Sequence, residues 1–156
     1  MRKVIVKDKN QLKEYIKKYC EAHGWDADLN HIDVSRITDM TMLFAFSQFN
    51  GDISRWDVSN VEDMAGMFVH SMFNGDISRW NVSKVESMAV MFAHSKFNGD
   101  ISGWDVSSVW NMNNMFDFAV FEGDLSEWNI RNVKFMRDIF HASPLYDKRP
   151  KWYKLR

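Results

Sequence analysis

The residues able to do chemistry in this chain fall into register. Asp28, Asp52, Asp76, Asp100 and Asp124 recur every 24 residues. Stacked carboxylates could hold calcium, which takes several oxygen ligands. One acid per 24 residues supplies too few, so each is expected to accept hydrogen bonds from backbone amides of its own turn. His70 and His94 share a second column, with His141 one position off, and two imidazoles without a third ligand do not make a zinc site. Cys20 is the single cysteine. It excludes an internal disulfide and reads as a core thiol. Lys148, Arg149, Lys151, Lys154 and Arg156 surround Trp152 and Tyr153, a mixture that can hold single-stranded nucleic acid. Trp152 continues an apolar column, however, and a solvated charged cap is the plainer reading. No nucleophile–base pair, metal cluster or phosphate loop stands out, so the expectation is a non-enzyme without a cofactor.

The register of those residues reflects the whole chain. Phe49, Phe73, Phe97 and Phe121 are spaced by 24, as are Trp56, Trp80, Trp104 and Trp128, and Met40, Met64, Met88, Met112 and Met136. A fixed period of this length marks repeat architecture. Five ungapped units are expected, 25–48, 49–72, 73–96, 97–120 and 121–144, within one domain. Each begins with a turn signal such as Asn50-Gly51-Asp52. The run Ile53-x-x-Trp56-x-Val58-x-x-Val61 then fits the opening of a leucine-rich-repeat template. Ser59…Glu62 and Ser83…Glu86 read as capping boxes that start a short helix, with Val61, Met64, Met67 and Phe68 on its buried stripe. The predicted fold is therefore an α/β solenoid, leucine-rich-repeat-like, of five 24-residue turn-strand-helix coils with terminal caps. Residues 1–24 form the N-terminal cap. Val4–Val6 suggest a strand, and Leu12, Tyr15, Ile16, Tyr19 and Cys20 form one stripe of a helix running from Asn10 to Gly24. Residues 145–156 form the C-terminal cap.

Composition narrows the function classes. At 46% apolar residues the chain can bury a core. A net charge of −1 argues against general nucleic-acid binding. No stretch approaches a membrane span and the start has no signal-peptide pattern, so a cytoplasmic protein is expected.

The motif Phe-Asn-Gly-Asp-Ile-Ser-x-Trp-Asp/Asn-Val-Ser-x-Val-x-x-Met-x-x-Met-Phe, over residues 25–144, resembles the repeat of the BspA-like leucine-rich-repeat bacterial surface-protein family. That resemblance implies an adhesion or interaction role and brings no catalytic residues. The expected function is a protein-interaction module whose partner is another protein. The alternative is a small intracellular inhibitor or effector that blocks a target enzyme, encoded by a mobile element. An incompletely capped end coil would also offer a route to a homo-oligomer.

Two surfaces are candidates for the partner. On the outward strand face, Asp57 and Asp105 stand in a polar column beside Arg55 and Arg79, and solenoids commonly bind along such a face. On the helix face, Trp110 and Phe135 interrupt polar columns, and Val90 and Met42 occupy the most outward one. Exposed aromatics there are candidate anchors, unless Trp110 lies flat on Lys134.

Overall fold

The computed structural model describes the backbone of residues 3–155 and the side chains of residues 3–153. The Lys154 and Arg156 side chains of the basic cluster lie outside the described residues. β1 (Val4–Ile5) pairs in parallel with β2 (Ile32–Asp33), Val4 opposite Ile32. Between them runs α1 (Lys9–His23). The Asp8 carboxylate caps it by accepting from the Gln11 amide at 2.9 Å, and Gly24 (φ 99°) closes it by donating to the Cys20 carbonyl. The cap is thus Asp8 and not Asn10; a carboxylate two residues earlier reaches the free amide. Leu12, Ile16 and Cys20 are buried against the core, and burial raises the Cys20 thiol pKa. Two short 3-10 helices, Pro144–Tyr146 and Lys151–Leu155, end the chain.

The expected α/β solenoid of leucine-rich-repeat-like coils is overturned. Among the described residues α1 is the only α-helix, and residues 25–144 contain β2 as their only strand. Parallel pairing continues as isolated bridges, Asp39 to Asp63, Asp63 to Ser87, Ser87 to Asn111 and Asn111 to Phe135. Where each helix was expected, the backbone makes overlapping turns. In residues 64–71, Met67, Val69 and Ser71 donate to carbonyls three residues back, Met64, Gly66 and Phe68. The alternate amides, Met64, Gly66, Phe68 and His70, donate forward to Ser87, Ala89, Met91 and Ala93 at 2.8–3.0 Å. An α-helix needs each interior N–H for its own i−4 carbonyl, and here every second one leaves the segment. The same division holds in residues 40–47, 88–95 and 112–119.

Left-handed backbone makes this possible. Met42, Gly66, Val90, Asn114 and Asp138, and likewise Phe46, His70, His94, Phe118 and Ala142, have φ between 50° and 64°. The capping boxes dissolve accordingly. Ser59 gives both its N–H and its O–H to Asp57 Oδ1, at 3.1 and 2.6 Å, in a local Asx turn instead of starting a helix.

Packing follows the 24-residue spacing closely. Phe44, Phe68, Phe92, Phe116 and Phe140 stack with centroids 5.6–5.9 Å apart. Trp56, Trp80, Trp104 and Trp128 are buried. Their indole N–H groups donate to the carbonyls of Leu29, Ile53, Ile77 and Ile101, each 27 residues back, at 3.0–3.1 Å. A buried indole needs such an acceptor. Trp152 repeats the bond onto Leu125 at 2.7 Å and closes the far end of the core.

Candidate interaction surface

The acidic column is consumed by turns. Asp28, Asp52, Asp76, Asp100 and Asp124 each accept from the amide two residues on, Asn30, Ser54, Ser78, Ser102 and Ser126, at 2.8–2.9 Å. Hydrogen bonds from the Ser54 and Ser78 backbone lower the Asp52 and Asp76 pKa values, and the Ser102 and Ser126 hydroxyls lead in lowering Asp100 and Asp124. Among the described residues no group of three or more His, Cys, Asp or Glu side chains is placed to hold a metal ion.

The polar strand-face candidates are spent in the same way. Asp57 serves Ser59, and Asp105 accepts from the Ser107 amide at 3.0 Å. Arg55 and Arg79 are exposed. Arg55 lies 3.6 Å from Asp28 and lines a pocket of about 460 Å³ with Lys3, Tyr19, Asn30 and His31. In the basic cluster the aromatic rings are already engaged. The Arg149 guanidinium sits 4.0 Å from the Tyr146 ring and 4.9 Å from Tyr153, and Trp152 is in the core.

Trp110 and Phe135 are brought together. Their rings meet edge to face at 5.8 Å, and both are exposed, at 38% and 50%. Trp110 thus packs on Phe135, the residue after Lys134, because the Phe135 amide pairs with the Trp110 carbonyl and fixes the two side by side. Met42 is exposed and lies over Gly66, where an added Cβ would collide with its sulfur. Val90 is half-buried in the left-handed conformation.

A larger surface escaped the sequence reading. Phe46, His70, His94 and Phe118 form one exposed row of parallel rings, with centroids 4.8, 4.3 and 4.8 Å apart and planes within 11°. Phe46 is 70% exposed and Phe118 51%. Two positions along from His70 and Phe118, Met72 and Val120 are exposed as well. The row ends on His141, which meets the Phe118 ring edge to face and bonds Asp117 at 2.7 Å. The signal was in the sequence: the column 46, 70, 94, 118 holds only planar rings. The helical register assumed for these units gave no reason to expect it exposed. Left-handed backbone at all four positions turns these side chains outward.

No helix among the described residues is long and apolar enough to cross a membrane. The chain matches the family described as "Mycoplasma protein of unknown function, DUF285" over residues 10–120 and again over 73–155, and it belongs to that family. No curated protein and no solved structure matches it.

Proposed function

We propose that this member of the DUF285 family is a non-enzymatic protein-interaction module, and that its contact surface is the row Phe46, His70, His94 and Phe118 with Met72 and Val120. One observation carries the reading: four aromatic rings stack along one edge and remain exposed, with Met72 and Val120 exposed two positions along from His70 and Phe118. Scattered exposed apolar residues are ordinary, whereas a contiguous patch of them marks a contact site. Stacking on neighbours already fixes the rings, so little side-chain entropy is lost when a partner covers them. The partner is a protein presenting an apolar surface of its own.

The test places a photo-crosslinking residue at Met72 and, as a control on the polar face, at Arg79. The Met72 position should trap one protein that the control does not. That protein, purified, should bind Phe118→Ser at least roughly tenfold more weakly than wild type, as expected on loss of a hot-spot ring. Equal trapping at both positions, or equal affinity for Phe118→Ser, sinks the assignment.

A further inference from the structure

The exposed row of rings ends at Phe46. One face of its ring stacks on His70 at 4.8 Å, and no ring stacks on the other face among the described residues. His70 and His94, by contrast, are covered on both faces, at 4.3–4.8 Å. The position 24 residues before Phe46 is Ala22, on α1, so the register brings no further ring to that end. Phe46 is accordingly 70% exposed.

A pocket of about 220 Å³ opens against Phe46. Its lining comes from α1, from Trp25 and from residues 43–47, with nothing from the segment that carries His70. It therefore lies on the open side of the Phe46 ring. Ile16, Trp25 and Phe44 give it apolar walls. Lys13 and Lys17, one turn apart on α1, add two cations, and no acid lines it. Four other pockets each include at least one acid, Asp39, Asp28, Asp147 or Glu122. Lys13 enters no ion pair among the described residues. Lys17 lies 3.9 Å from Glu21, an exposed pair of the kind that contributes little.

We propose that this pocket binds a small planar aromatic carboxylate, its ring stacked on Phe46 and its carboxylate against Lys13 and Lys17. Size, shape and charge each select that class. The volume suits a ligand of roughly one or two rings, since pockets for larger ligands run to about 300–1,000 Å³. The open face of Phe46 favours a ring over an alkyl chain, because stacked ring pairs gain more than the area they bury. Two ammonium groups without a competing acid favour an anion. An aliphatic carboxylate would satisfy the lysines alone, and a neutral aromatic the ring alone. The site is separate from the protein contact proposed above, which Met72 and Val120 continue farther along the row.

The probe is 2-naphthoate, with 2-naphthalenemethanol and octanoate as controls, titrated into the full chain while backbone amide shifts are followed by NMR. 2-Naphthoate should bind saturably, with the largest shifts on residues 13–17, Trp25 and residues 43–47. Each control should bind at least roughly tenfold more weakly, one lacking the charge and the other the ring. The double variant Lys13→Gln/Lys17→Gln changes only exposed side chains, so it should melt with wild type yet bind 2-naphthoate at least roughly tenfold more weakly. Phe46→Leu should weaken 2-naphthoate and leave octanoate unchanged. Absence of saturable binding, shifts centred elsewhere, a control that binds as well as 2-naphthoate, or unchanged affinity in the lysine variant overturns the proposal. The comparison of the three compounds on wild type decides the matter even where a substitution disturbs folding. None of these outcomes touches the crosslinking result at Met72, so the ring-row reading stands or falls separately.

Discussion

Val90 is the residue where chain and backbone disagree most. A β-branched side chain at φ 51° is a steric outlier. Its counterparts at the same place in other segments include Gly66, Asn114 and Asp138, types that tolerate left-handed backbone. Replacing Val90 by Asn should therefore stabilise the protein by about 1 kcal/mol, raising the denaturant midpoint. Destabilisation would mean that the half-buried Val90 side chain contributes more packing than its conformation costs. Core positions behave oppositely. Phe92 is fully buried, stacked between Phe68 and Phe116 at 5.7 Å on each side. Phe92→Ala should cost about 3–5 kcal/mol.

At the scale of elements, legibility divides by what the backbone does. α1 was readable because its stripe and its Gly24 stop are local features, and only its cap was misplaced by two residues. The turn segments were not. Val61, Met64, Met67 and Phe68 are all buried as expected, yet the spacing i, i+3, i+6, i+7 fits both a helix and a chain of overlapping three-residue turns. Periodicity reports which side chains go inside. It does not report whether an amide bonds within its segment or to a residue 23 positions later, because that choice rests on left-handed φ values. Gly66 and Asn114 hinted at these; Val90, Met42 and Phe118 concealed them. The correction has a measurable consequence. Asp8 caps a real helix, so Asp8→Ala should cost about 1 kcal/mol. Ser59 makes one exposed hydroxyl bond to Asp57, so Ser59→Ala should stay within about 0.5 kcal/mol. Equal costs in denaturant melts would restore a helix at Ser59.

For the molecule as a whole, the same division explains why the candidate site was only half visible. Trp110 and Phe135 could be picked out as oddities in polar columns. The ring row depends on which way each segment faces, and composition does not encode that. What sequence and structure share is an aspartate at most of the turns, and it sets a global response to acid. Asp33, Asp52, Asp76, Asp100, Asp105 and Asp124 all have lowered pKa values, with hydrogen bonds from nearby serines the leading cause. A carboxylate with a depressed folded-state pKa stabilises the fold above its unfolded value, about 3.9 for Asp. That contribution is lost as pH falls through the folded value, because the unfolded chain takes up protons first. All but the half-buried Asp33 are exposed, and each effect is small, but all act in the same direction. The urea midpoint should therefore stay nearly level from about pH 7 to about pH 5 with respect to these groups, then drop steadily below about pH 4. Asp76→Asn together with Asp100→Asn, which keeps an acceptor oxygen but removes the titration, should flatten part of that drop. A midpoint that rises on acidification, or a double variant as acid-sensitive as wild type, would show that the turn carboxylates do not govern stability in acid.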